Sequence, residues 1–189
     1  MSGGPALSFQ ECLITSQIDG TALTNTITAT SLIPPAARFT LPSNFFWVPG
    51  KSIRVSARGR ISTLTAAPGT LTLDVRFGAT TVVFNGGAMS LNTTAQTNDT
   101  WEFEAILTCR AIGSGTSANI LGIGSWTSAA ALGAAAGIAE SLMLPATAPA
   151  VGTGFDSTAT NVVDFFGTWS TASASNSILV HQYSLESLN

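Results

Sequence analysis

His181 is the single histidine among 189 residues. It stands in the alternating run Leu179-x-His181-x-Tyr183-x-Leu185. A histidine can serve as a general base or a metal ligand. Zinc needs three or four converging ligands, and no second histidine, cysteine or carboxylate stands beside this one. The expectation is a histidine packed at the edge of an apolar face or at a subunit contact. Glu102 and Glu104 are two apart, so on a strand they point the same way. Paired carboxylates can do acid–base work on sugars. Arg54, Arg58, Arg60, Arg76 and Arg110 fall on presumed outward strand faces, so cross-strand or inter-subunit ion pairs are expected instead. Each surface pair contributes only about 0–1 kcal/mol; their stronger use is to fix register between partners.

Other chemistry is sparse. No G-x-S-x-G elbow, Walker loop or G-x-G-x-x-G fingerprint occurs. Asp156 follows Gly152-Thr153-Gly154-Phe155, but a calcium site needs six or more oxygens and no dense acidic loop is present. The expectation is no enzyme: no catalytic residues, no cofactor and no metal. Asn92-Thr93-Thr94 and Asn98-Asp99-Thr100 match the glycosylation sequon, as expected by chance in a Thr-rich chain. No charged segment followed by an apolar one opens the chain. Cys12 and Cys109 are therefore expected as buried free thiols in a reducing compartment. Trp47, Trp101, Trp126 and Trp169 could stack on a sugar, with core packing as the default. Phe45, Phe46 and Trp47 form an aromatic triplet among prolines, which either plugs the end of the fold or docks on a partner.

The elements that would position these residues are strands. Ile53, Val55, Ala57, Gly59 and Ile61 alternate with Arg54, Ser56, Arg58 and Arg60, the period of a half-buried strand. Leu71, Leu73, Val75 and Phe77 alternate likewise, and the pair reads as a hairpin joined by Thr63–Thr70. Thr80–Phe84, Ala88–Leu91, Trp101–Arg110, Ala118–Trp126, Asn161–Trp169 and Ser177–Leu185 read as further strands. Asn85-Gly86-Gly87 and Asn98-Asp99 read as turns. Ala129–Met143 reads as strand or loop, against a helix presenting Leu132, Ala136, Ala139 and Met143 on one face. Met1–Pro5 is Gly-rich and expected to be mobile. One strand is expected around Ala22–Thr30. Residues 1–49 form an extended arm with short strands, laid over the body or a neighbour, and residues 50–189 form the body. Many strands with regular turns indicate an all-β, antiparallel jelly-roll β-sandwich.

Composition narrows the partners. Apolar residues are 45% and charged residues 9%, against roughly 25% charged in ordinary domains. A surface this neutral suits burial against other proteins. The net charge is −3 and Lys51 is the lone lysine, so nucleic acid and anionic membranes are not expected partners. The most apolar run, Ala129–Ala139, is short of the roughly 20 residues needed to span a bilayer.

Three stretches carry a resemblance. They are Leu41-Pro42-Ser43-Asn44-Phe45-Phe46 running into Pro49–Ser62, Pro68–Gly78, and the tail Asn176–Asn189. Together they resemble tailed-bacteriophage virion proteins of the jelly-roll type. The resemblance implies a protein that decorates heads, forms fibres or spikes, or binds host glycans, often as a trimer. It transfers no catalytic residue. The leading expectation is a capsid decoration (cement) protein, assembled in the host cytoplasm into the virion. It would bind the major capsid protein or another virion protein as a homo-oligomer, a trimer being favoured. Its arm would bury apolar surface across subunit boundaries, and Phe45, Phe46, Trp47, Arg54, Arg58 and Arg60 would be partner contacts. The alternative is a receptor- or glycan-binding module of a head or tail fibre.

Overall fold

The computed structural model describes residues 10–134 and 138–189. Among them the first strands are short: β1 (Glu11–Thr15), β2 (Leu23–Thr24), β3 (Thr30–Ser31) and β4 (Phe39–Leu41). A single 3-10 turn, Pro35–Ala37, lies between β3 and β4. The body follows as β5 (Ser52–Thr63), β6 (Thr70–Phe77), β7 (Thr81–Asn85), β8 (Met89–Ser90), β9 (Gln96–Ala111), β10 (Asn119–Ser128), β11 (Glu140–Leu144), β12 (Asn161–Trp169) and β13 (Ser177–Ser187). One sheet has the order β1-β13-β5-β9-β10-β11, with β2 also on β13. The other has the order β3-β12-β6-β7, with β4 on β12 and β8 on β6. Every pairing is antiparallel.

The alternation read from the sequence sets the core. Ile53, Val55, Ala57 and Ile61 of β5 are buried, as are Trp101, Phe103, Ala105, Leu107 and Cys109 of β9. Opposite them lie Leu71, Leu73, Val75 and Phe77 of β6 and Val163, Phe165 and Trp169 of β12. Phe103 meets Phe165 across the sandwich with ring centroids 4.8 Å apart. The expected β5–β6 hairpin does not form: β5 pairs with β13 and β9, whereas β6 pairs with β12, β7 and β8. Alternation fixes which side of a strand is buried, not which strand lies beside it. The ribbon β13–β5 of one sheet instead continues through residues 64–69 and 170–176 as the ribbon β12–β6 of the other. That wrapping makes the sandwich a jelly roll.

Three local expectations change for backbone reasons. Asn98 lies inside β9 with φ +58, where the register on β5 shifts between Ile61 and Thr63. Asn tolerates the left-handed region, so the Asn-Asp signal marks a bulge rather than a turn. The strand expected over Ala22–Thr30 is split into β2 and β3, with Asn25 at φ +51 and Ile27 exposed. In β13 the register shifts between Val180 and Gln182, making His181 the extra residue of a bulge. Ile178 and Val180 are buried before it, Tyr183 and Leu185 after it. The inward face changes parity there, so His181 does not share a face with Tyr183.

The division at residue 49 does not separate two packing units. Leu23, Leu32, Ile33, Ala37, Leu41 and Phe46 are buried in the same core as β5 and β9. The extended stretch is laid over its own body, where these side chains leave water. Cys109 is buried and free, as its place on the core face requires. Cys12 is free but exposed, against expectation, because β1 is an edge strand with no layer over its outer face. Residues 138 and 139 lead into β11, and Ala131 bridges Leu91. The helical face through Ala136, and the expectation for Met1–Pro5, lie outside the described residues.

Candidate functional site

Arg54, Arg58, Arg60, Glu102 and Glu104 lie on the outer face of the larger sheet, whereas Arg76 lies on β6 of the smaller one. Arg58 stands opposite Glu102 in the β5–β9 register and its Nη2 pairs with Glu102 Oε1. Arg54 stands opposite Glu186 on β13, with Nη1 to Oε2 at 3.2 Å, and its Nε lies 3.8 Å from Glu104. Arg60 Nη1 donates to Thr100 Oγ1 at 2.8 Å. Glu102 thus faces Arg58, and Glu104 shares Arg54 with Glu186, so the pairs link β5, β9 and β13. The depression beside Arg58, about 290 Å³, is lined otherwise by hydroxyl and amide side chains such as Thr15, Ser56 and Gln182. Arg54 and Arg60 are six residues apart on β5, roughly 20 Å at strand rise. They do not converge on one point. His181 Nδ1 sits 2.9 Å from Asp19 Oδ1 at the surface.

The apolar part of the same face is elsewhere. Ile106 of β9 and Ile123 of β10 are cross-strand partners, and both are exposed. Met143, paired with Ser125, is exposed beside them.

The aromatic triplet splits. Phe46 is 2% exposed and plugs the end of the sandwich, with ring centroids 5.6 Å from Phe155 and 6.0 Å from Phe77. Phe45 packs edge-on to Phe46 at 5.1 Å, under the Lys51 ammonium at 4.9 Å. Burial lowers the Lys51 pKa from its usual value, partly opposed by the Glu11 carboxylate. Trp47 is 69% exposed. The turn beyond it is fastened to β9 by Gly50 N–H donating to Cys109 O at 2.8 Å, with Gly50 at φ +100. Trp101, Trp126 and Trp169 are buried, and Trp169 Nε1 donates to Leu23 O at 3.0 Å. Trp47 alone of the four tryptophans is presented to solvent, on a base fixed by Phe46.

The smaller sheet carries a cluster around Arg76 whose other members, Asp74, Asp164 and Arg38, the sequence reading missed. Asp74 accepts two hydrogen bonds from Arg76, at 2.8 and 2.9 Å, and the Arg76 guanidinium lies 4.2 Å from the Phe166 ring centroid. Asp164 is the cross-strand partner of Arg76. Its Oδ2 pairs with Arg38 Nε at 2.9 Å, and its Oδ1 accepts from Ser31 Oγ at 2.5 Å and from Phe165 N–H at 2.8 Å. Burial raises the pKa of both carboxyls; the hydrogen bonds and arginines oppose it without cancelling it. Beside Arg38 and Asp164 opens a cleft of about 640 Å³. The available signal was a carboxylate inside Val162-Val163-Asp164-Phe165-Phe166, since a charge in an apolar strand demands a partner.

No family model and no curated protein matches the sequence. Among solved structures, the chain is similar to the CBM2 module of the evolved Dit of Lactobacillus casei BL23 phage J-1. The TM-score is 0.37 with 10% identity, over 96% of this chain and 98% of that one. It is also similar to peanut lectin solved with a nine-residue peptide, at TM-score 0.32 and 10% identity, over 99% of this chain and 94% of the lectin. Both superpositions are loose, and the roles below are argued from this chain's own residues.

Chemically, these surfaces offer three kinds of contact. Trp47 offers a large flat apolar area with one N–H donor. Ile106, Ile123 and Met143 offer an apolar strip. Arg38 offers a guanidinium tethered at Nε.

Proposed function

We propose that the chain is a non-catalytic recognition module of a bacteriophage virion, binding a receptor or a glycan through the end of the sandwich that carries Trp47. The observation that supports this is the contrast between Trp47, 69% exposed, and Phe46 beside it, 2% exposed. A rigid, exposed tryptophan loses little conformational entropy on binding and has the area to anchor an interface or stack on a sugar ring. The virion setting rests on the resemblance of the three stretches given above. The test is Trp47→Ala, which removes an exposed side chain and leaves the core intact. Binding to glycan-array hits or to receptor-bearing host envelopes should fall at least about tenfold, equivalent to about 1.4 kcal/mol, at unchanged melting temperature. Equal binding by the variant would end this reading.

The capsid-decoration role has its own support in the strip formed by Ile106, Ile123 and Met143, since an exposed apolar strip suits docking on another protein. Its mechanism would differ from a crossing arm, because residues 10–49 pack on their own body. Ile123→Glu should then abolish binding to capsids lacking the protein, whereas Trp47→Ala should not.

A further inference from the structure

Arg38 follows the 3-10 turn and holds Asp164 through Nε alone. Its Nη1 and Nη2 meet no hydrogen-bond partner among the described residues. Asp164 is 6% exposed at its side chain and already engaged by Ser31, Phe165 and Arg38. The guanidinium is therefore tethered at Nε, which leaves the N–H donors of both Nη nitrogens free. The cleft beside it is lined by Ile33, Pro35, the exposed Val162 and the mostly buried Phe166, whose ring lies against Arg76. Its volume, about 640 Å³, is that of a small-molecule site. The local charges cancel, Arg38 and Arg76 against Asp74 and Asp164.

We propose that this cleft binds one neutral pyranose unit of a glycan. Arg38 donates from Nη1 and Nη2 to a vicinal pair of hydroxyl oxygens, and a C–H face of the ring covers the exposed Val162 side chain. Neutral charge balance disfavours an acidic sugar or a phosphate, which would find donors but no net attraction. A peptide fits less well. The β6 and β12 amides are spent in their own ladder, so peptide N–H groups laid in this cleft would lose water without gaining acceptors. A pyranose keeps its remaining hydroxyls in solvent while its apolar face is covered. This adds a second site to the recognition role proposed above, and it does not depend on Trp47.

The test is a titration of the full-length chain with the methyl pyranosides of glucose, galactose, mannose and N-acetylglucosamine, and with methyl glucuronide, followed by amide chemical shifts. At least one neutral pyranoside should bind in the millimolar range and shift Arg38, Val162 and Phe166. Arg38→Lys keeps the charge but loses the fork and should weaken binding at least about tenfold. Val162→Gln, at a partly exposed position, should weaken it similarly and serves if Arg38→Lys does not fold. Absence of binding by every neutral pyranoside, tighter binding of the glucuronide, or full binding by both variants overturns the proposal. Shifts confined to residues around Trp47 would overturn it too, while leaving the recognition role standing.

Discussion

Asn176 donates from its side-chain nitrogen to the Pro68 carbonyl at 2.9 Å, and its side-chain oxygen accepts from Leu64 N–H at 2.8 Å. Asn176 is fully buried. It thus ties together the two connections that carry the β13–β5 ribbon over into β12–β6. Asn176→Ala leaves the Leu64 amide and the Pro68 carbonyl without partners. The expected cost is about 2–4 kcal/mol, from two unmade buried hydrogen bonds. Urea unfolding should show a lower midpoint, and an unchanged midpoint would mean that water replaces the amide.

Removal of residues 1–49 should abolish folding rather than release a stable body. Leu23, Leu32, Ile33, Leu41 and Phe46 are all at most 3% exposed. Each such side chain contributes roughly 1.5–3 kcal/mol on burial, so the five together match the net stability of about 5–15 kcal/mol of an ordinary domain. The truncated chain should lack the cooperative thermal transition of the full one. A cooperative transition in the truncated chain would show that the first strands are dispensable.

The sandwich was legible wherever a strand is half-buried. β12 falls on the expected Asn161–Trp169, and the apolar faces of β5, β6 and β9 lie inward as their alternation requires. Strand partners were not legible, because β5 and β6 carry the same pattern whether they pair or face each other. Parity changes were not legible either: the bulge at His181 packs its backbone against Gly59 of β5, which alternation treats as one more inward residue. The Arg58–Glu102 pairing followed from outward faces. The Arg38–Asp164 pair did not, since it joins residues 126 positions apart in sequence, one of them in a segment with no alternating pattern.

Asp74 and Asp164 should make the fold tolerate mild acid. Burial raises both pKa values above the usual 3.8. A carboxyl with a raised folded-state pKa binds its proton more tightly when folded. Its contribution favours folding fully below about pH 3.8 and is lost as pH rises through the folded-state value. Asp156 runs the other way: hydrogen bonds from Thr158 and Gly115 lower its pKa, so its contribution is lost on acidification. Asp74→Asn isolates one of the raised groups. Between pH 6 and pH 4, wild type should gain stability relative to Asp74→Asn in paired urea titrations. A relative loss would mean that the Arg76 pairing outweighs burial.

Gly59, not His181, should prove to hold the bulge of β13. A Cβ on Gly59 would lie 1.8 Å from the Leu179 carbonyl oxygen and 3.1 Å from Val180 Cα, both backbone atoms. Neither can yield without moving the strand, and Val180 is the direct partner of Gly59. Gly59→Ala should therefore cost about 3 kcal/mol or more, as overpacking against backbone does. The His181–Asp19 contact is 2.9 Å but lies at the surface, with side-chain exposures of 38% and 58%. His181→Ala should cost at most about 1 kcal/mol. The bulge thus depends on a missing methyl group on β5, and the histidine occupies a position that the backbone has already turned outward. Equal losses in the two variants would place the cause in the His181–Asp19 contact instead.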